Sequence, residues 1–274
     1  MLDLQAILAP YNPWWKENTE GFKNLPEFRR PIFYQLYDEL KTVPQILSIT
    51  GPRRIGKSTL LYHLLQKLLS DSVPAQHLIY YSFDDPALIA RRIKVDELID
   101  RVMKLALKQK DAGPTYLFLD EIQRLERWEL YLKKYYDLKY PIKIVISGSA
   151  SSPIFKKSRE SLLGRVKDFH LLPFSFREYV LYSLQQNHTL LNEVTAIYEL
   201  GKTTQGMFAE DPAVQAETVT IPGPSKTLCT TLDALLQNYF LEGGFPEVWT
   251  LPTWIAKQEV FHSPVGRHCV EPNQ

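Results

Sequence analysis

The chain has 274 residues, 45% of them hydrophobic and 23% charged, with a formal net charge of +1. That balance is ordinary for a globular protein of one main domain plus an appendage, and it lacks the basic excess of a dedicated nucleic-acid binder. Two cysteines, Cys229 and Cys269, are too few for a disulfide scaffold, and no apolar run approaches the roughly 18 residues a membrane helix needs, so a cytoplasmic protein with no membrane partner is expected.

Residues 1–30 read as an irregular N-terminal extension carrying "NPWW" at 12–15. Adjacent tryptophans must pack on something. They read either as a cap over the core or as a lip over a bound base, and the cap is the expectation. "PQILSIT" (44–50) is a buried strand that runs into "GPRRIGKST" (51–59), a fit to G-x-x-x-x-G-K-[ST]. The next residues place Leu60, Leu61, Leu64, Leu65 and Leu68 on one helical face. "HLIYYSF" (77–83) predicts a second strand, "KVDELIDRVMKLALKQ" (94–109) an amphipathic helix, and "TYLFL" (115–119) a third strand ending at Asp120-Glu121. A helix with Leu125, Trp128, Leu132 and Tyr135 on one face follows, then strands at 142–147 and 166–172. Strand–helix alternation of this kind implies α/β architecture, a five-stranded, mostly parallel sheet between helices. Beyond Pro173, Ser175 and Glu178 form an S-x-x-E capping box, residues 201–227 predict a loop or exposed insertion, and "TLDALLQNYFLEGG" predicts a helix stopped by Gly243.

The nonapeptide has the composition of a phosphate-binding loop. Gly51 and Gly56 allow the backbone to curl so that its N–H groups face the phosphates. Lys57 reaches the β- and γ-phosphates, Ser58 offers a hydroxyl to Mg²⁺, and the helix that follows aims its N-terminus at the same charge. Gly51, Pro52, Arg53, Arg54, Ile55, Gly56, Lys57, Ser58 and Thr59 are therefore the candidate nucleotide-binding residues. The paired arginines are expected to face a lid or a neighbouring subunit. Asp120, at the carboxyl end of a buried strand, sits where it would hold Mg²⁺, and Glu121 is placed to polarise a water. With the further strand between loop and acidic pair, and the polar end of "IVISGSASS", the pattern fits the additional-strand class of P-loop ATPases. Ser147 or Ser149 would then lie near the γ-phosphate.

"GPRRIGKSTLL", "YYSFDDP", "LFLDEIQ", "ISGSAS", "LLGRV", "LLPFSFREY" and "GGFPEV" occur in that order. Together they resemble the AAA+-type P-loop ATPases of prokaryotes that usually continue into a nuclease-like C-terminal domain. The resemblance implies an ATPase domain over 31–173, a helical lid region over 174–250 and, at 251–274, an irregular tail truncating the next domain. It also implies that Arg165 in "LLGRV" is either an arginine that stabilises transferring phosphate, from the same chain or a neighbouring one, or a structural residue at a strand start.

The expected function is binding of ATP and Mg-dependent hydrolysis coupled to a change of shape, acting on nucleic acid or a partner protein, with self-association as a further expectation. A nucleotide-dependent switch with little turnover is the alternative. A small-molecule kinase ranks behind both, because Arg159 and Arg165 make a thin substrate lid. The lysine–tyrosine stretch at 132–143 reads either as a nucleic-acid contact or as a solvated helix face with core aromatics.

Overall fold

The structure, a computed structural model, describes residues 4–16, 21–86, 100, 102–104, 113–149, 162–210, 223–253 and 257, with backbone alone at 4–5 and 200–210. These residues divide into two compact units, with the boundary between Leu172 and Pro173.

The first unit is built on β1 (Ile46–Gly51), β2 (Leu78–Ser82), β3 (Thr115–Asp120), β4 (Ile142–Ser149) and β5 (Val166–His170). They lie in the order β2-β3-β4-β1-β5, parallel at every junction. The runs of β1 to β4 are largely apolar and buried because both faces are covered, whereas β5, at an edge of the sheet, is mostly exposed. Ile46, Ile79, Tyr81, Leu117, Leu119, Ile144 and Ile146 share a core with Ile7 and Leu8 of α1 (Leu4–Leu8) and with Trp128, Leu132 and Tyr135 of α4 (Trp128–Asp137). Alternate residues point the other way, where Tyr80 meets Tyr62 of α3 (Lys57–Ser70) with ring centroids 4.9 Å apart. Phe33, Leu36 and Leu40 of α2 (Ile32–Thr42) are buried as well. Leu60, Leu61, Leu64, Leu65 and Leu68 are all buried on α3. At about 2 kcal/mol for each leucine removed from water, they fix the helix whose first turn carries Lys57 and Ser58.

The tryptophans are a cap. Trp14 is fully buried and stacks on Phe22, and the indole N–H groups of Trp14 and Trp15 both donate to the Leu78 carbonyl, at 3.1 and 3.0 Å. Asn12 completes the job: its amide oxygen accepts from the Tyr80 N–H at 2.7 Å and its Nδ2 donates to the Tyr80 carbonyl at 2.8 Å. One asparagine side chain thus pairs the outer edge of β2 as a neighbouring strand would, which closes an edge otherwise open to aggregation.

Leu125 is buried with the α4 residues but precedes the helix, which starts at Trp128 after a 3₁₀ turn over Ile122–Arg124. The predicted helix at 94–109 falls mostly outside the described residues; Asp100 and residues 102–104 are helical, with Val102 and Met103 in the core. In the 132–143 stretch, Tyr135 and Leu132 are core residues while Lys134 and Lys139 are exposed, the arrangement of a solvated helix face.

The second unit contains α5 (Phe176–Ser183), α6 (His188–Glu210), α7 (Lys226–Glu242) and α8 (Pro246–Trp249). Its core joins Val180, Leu184, Leu190 and Leu228. The capping box forms as read, with Ser175 Oγ accepting from the Glu178 N–H while the Glu178 carboxylate accepts from the Ser175 N–H. The predicted loop over 201–227 is corrected at both ends. Residues 201–210 continue α6, and α7 begins at Lys226. Adding a residue to an existing helix is far cheaper than starting one, the glycines there cost only about 1 kcal/mol each, and the first proline is Pro212. Trp249 is covered by Phe174, Tyr179 and Tyr182, with centroids at 4.9, 4.8 and 5.1 Å. Trp254 lies outside the described residues.

Candidate nucleotide site

The register of the sheet assembles the site. Gly51 lies opposite Ser149, and Ile49 opposite Ser147. Leu119 lies opposite Ile146, which puts Asp120 level with Ser147. The carboxyl ends of β1, β4 and β3 therefore form one edge, where ligands bind in open parallel sheets.

The loop leaves that edge at Gly51. A Cβ there would stand 2.2 Å from the Leu171 carbonyl oxygen, so the position admits glycine alone. Gly56 turns the chain into α3 at φ 90°, in the left-handed region that a side chain disfavours. Ile55 between them is fully buried, so only its backbone can face a ligand, while Arg53 and Arg54 are exposed on the crest. Arg30, itself buried, braces the loop from below: its guanidinium donates to the carbonyls of Ile55 at 3.3 Å and Leu172 at 2.9 Å.

Lys57 is 5% exposed, and its Nζ donates to the Gly51 and Pro52 carbonyls at 3.2 and 2.7 Å. Burial pushes its ammonium down from the ordinary lysine range, Glu121 and Asp120 pull it back up, and Arg53 adds to the depression.

Asp120 is 2% exposed and receives four donors. Ser58 Oγ donates to Oδ2 at 2.5 Å and Tyr80 Oη to the same oxygen at 2.9 Å. Ser147 Oγ and the Glu121 N–H, the latter at 3.0 Å, donate to Oδ1. Burial, then the charge of Asp120, drives the Tyr80 phenol far above its ordinary pKa, so it stays a proton donor. Glu121 turns the chain at φ 51°, and its carboxylate accepts from Gln123 Nε2.

The donor set fits magnesium. Ser58 and Asp120 offer hard oxygen atoms from the loop helix and a strand end. Mg²⁺ commonly takes one or two carboxylates and completes its shell with water and phosphate. Among the described residues no group of three or more His, Cys, Asp and Glu forms an all-protein metal cage, and the site does not require one.

A family model described as "AAA domain" matches residues 43–180, just over half of the 274 residues. The chain belongs to the AAA domain family. It is similar to an uncharacterized protein of Methanocaldococcus jannaschii, 34% identical over 61% of this chain and 34% of that protein. An uncharacterized protein of Haemophilus influenzae is 24% identical over 67% of this chain and 45% of the other. The chain thus spans between a third and a half of the length of these relatives. Among solved structures, the Hsp104–ADP complex of S. cerevisiae aligns with 69% of this chain and 29% of its own at 18% identity, TM-score 0.47.

Within this AAA domain the predicted residues separate into two groups. The loop, Ser58, Asp120, Glu121 and Ser147 come together at one edge. The Ser147 hydroxyl is bound to Asp120, so an influence of Ser147 on a phosphate would pass through that carboxylate. Arg165 is not brought to the loop of its own chain. Its carbonyl accepts from the N–H of Ile46, the first residue of β1, so it sits at the opposite edge of the sheet, about 16 Å of strand away. There its Nε donates to Asp137 Oδ1 at 2.7 Å, the structural reading of that position. Tyr80, Gln123, Arg30 and Asn12 are contacts that pattern reading missed. Tyr80 carried a usable signal: a hydroxyl-bearing aromatic two residues before the end of a strand that neighbours Asp120. Among the described residues no helix is long and apolar enough to cross a membrane.

Proposed function

We propose that the chain binds ATP with Mg²⁺ on the loop from Gly51 to Thr59 and hydrolyses it. The observation that carries this reading is the Ser58–Asp120 contact at 2.5 Å, which joins the first turn of the loop helix to a buried strand-end carboxylate with Glu121 next in the chain. Membership of the AAA domain family supports nucleotide binding and hydrolysis in general.

Each residue has a separable task. Backbone N–H groups of the loop and the N-terminus of α3 bind the polyphosphate, and Lys57 adds a localised positive charge. Ser58 and Asp120 would hold Mg²⁺, which when bound would neutralise negative charge developing on the polyphosphate. Glu121 accepts a proton from the attacking water. Ser147 keeps the Asp120 carboxylate in place. Cleavage of the γ-phosphate is coupled to a change of shape that acts on a partner protein or nucleic acid, in a chain that self-associates. Turnover with and without candidate nucleic acids, run beside a mass measurement, tests that last part.

The switch with little turnover keeps one specific support, the Gln123 amide, which occupies one oxygen of the Glu121 carboxylate. On the hydrolysis reading, Lys57→Ala should remove ATP binding, whereas Glu121→Gln should bind ATP and fail to release phosphate. Single-turnover phosphate release decides between the readings: tight ATP binding with no phosphate release would leave the switch, and undiminished hydrolysis by Glu121→Gln would refute the role given to Glu121.

A further inference from the structure

We propose that Tyr80 is a positioning residue for the magnesium carboxylate, held in place by the Asn12 side chain; this rests on the reading that Asp120 holds the cation. Four observations combine. The Tyr80 phenol donates to Asp120 Oδ2 at 2.9 Å, the oxygen that also receives Ser58. Of these two hydroxyls Ser58 is itself a candidate ligand, so Tyr80 is the one whose oxygen has no competing duty toward the cation. The ring is 4% exposed and lies 4.9 Å from Tyr62 on the loop helix, so the phenol has little room to swing away. Finally, the Tyr80 backbone is tied at both N–H and carbonyl by Asn12, at 2.7 and 2.8 Å. The N-terminal cap therefore fixes the strand position from which the phenol reaches the carboxylate.

A carboxylate that holds a cation must keep one oxygen turned toward it, and its orientation is set by the hydrogen bonds on its other lone pairs. Removing such an outer partner commonly costs about 10- to 100-fold in metal affinity. Tyr80→Phe deletes one oxygen and keeps the ring, so it isolates that hydrogen bond.

The test titrates binding of a fluorescent ATP analogue to the purified chain across a series of Mg²⁺ concentrations and in EDTA. Wild type, Tyr80→Phe, Asn12→Ala, Asp120→Asn and Tyr81→Phe are compared, with thermal unfolding of each. Tyr81 is the control, because its hydroxyl bonds Asp85 at 3.2 Å and its ring belongs to the opposite face. The expected result is that Tyr80→Phe raises the Mg²⁺ concentration for half-maximal binding about tenfold or more while affinity in EDTA is unchanged. Asn12→Ala shifts it the same way by a smaller factor, and Tyr81→Phe leaves it unchanged. If Asp120→Asn moves the Mg²⁺ curve and neither Tyr80→Phe nor Asn12→Ala does, the proposal is overturned and the role of Asp120 stands. Equal weakening with and without Mg²⁺ also overturns it, since the phenol would then serve the loop rather than the cation site. A wild-type chain whose nucleotide binding ignores Mg²⁺ removes both readings together.

Discussion

Truncating Trp14 to alanine tests what the N-terminal segment is for. The indole is fully buried, stacks on Phe22 at 5.4 Å between centroids, and donates to the Leu78 carbonyl. Truncation of a buried tryptophan costs about 3–5 kcal/mol through lost transfer energy and the cavity left behind. For a unit of this size each kcal/mol lowers Tm by roughly 2–4 °C, so a fall of roughly 6–20 °C follows. ATP affinity measured in EDTA, where the cation site plays no part, should not change. Leu78 opens β2 at the amino end of the sheet, level through β3 and β4 with Gln45, whereas the loop leaves the carboxyl end at Gly51, about 20 Å of strand away. Circular-dichroism melting, paired with binding of a fluorescent ATP analogue at a temperature where the variant is folded, reads both quantities. A variant that melts within about 2 °C of wild type yet binds nucleotide tenfold more weakly would refute the cap and restore the lip over the base.

The remaining predictions concern pH and the far edge of the sheet. His63 is buried on α3, donates from Nε2 to the Pro26 carbonyl at 2.7 Å, and has its pKa lowered chiefly by burial, with Arg29 adding to the effect and the Pro26 bond opposing it. The unfolded chain therefore takes up the proton first as pH falls below about 6.5, so the stability His63 contributes is full above that value and lost on acidification, by at most about 1.4 kcal/mol per pH unit. Between pH 7.5 and 5 the melting temperature of His63→Gln should fall less steeply than that of wild type; parallel profiles would exclude His63 as a source of the slope. Arg165→Ala breaks the pair with Asp137 and should leave ATP affinity and monomer turnover unchanged, because the residue lies at the edge of the sheet away from the loop. A loss of turnover seen in dilute monomer would place Arg165 back in the catalytic site.

Features that depend on short stretches of chain were legible in the sequence. The loop needs Gly51 and Gly56 at fixed offsets, the helix after it declares itself through five leucines in phase, and the strand before Asp120 is an unbroken apolar run. Each is a local pattern with a local cause. What stayed hidden depends on strand order, which no local pattern encodes. Arg165 sits in a family motif, but only the parallel pairing of Val166 with Ile46 shows that it starts a strand beside the beginning of β1 and so points away from the nucleotide edge. Tyr80 and Asp120 are 40 residues apart and meet because β2 and β3 are neighbours with Ser82 opposite Asp120. The extension of α6 past residue 200 was missed for a different reason: glycine and threonine weaken a helix by increments, and composition alone overstated their power to end one.

The donors on Asp120 also say where movement would register. Tyr80 comes from β2, Ser147 from β4, and the Glu121 N–H from the residue that follows β3, so these three share the frame of the sheet. Ser58 alone among the four comes from a helix, α3, which is joined to the sheet through the loop. A displacement of the loop helix against the sheet would therefore break one bond of four and leave the carboxylate held by the rest. Packed layers resist continuous deformation, so strain introduced at the loop concentrates at such a junction. The Ser58–Asp120 contact is consequently the point at which a bound phosphate and the sheet would first feel each other, and the donors behind Asp120 determine how stiffly the sheet answers.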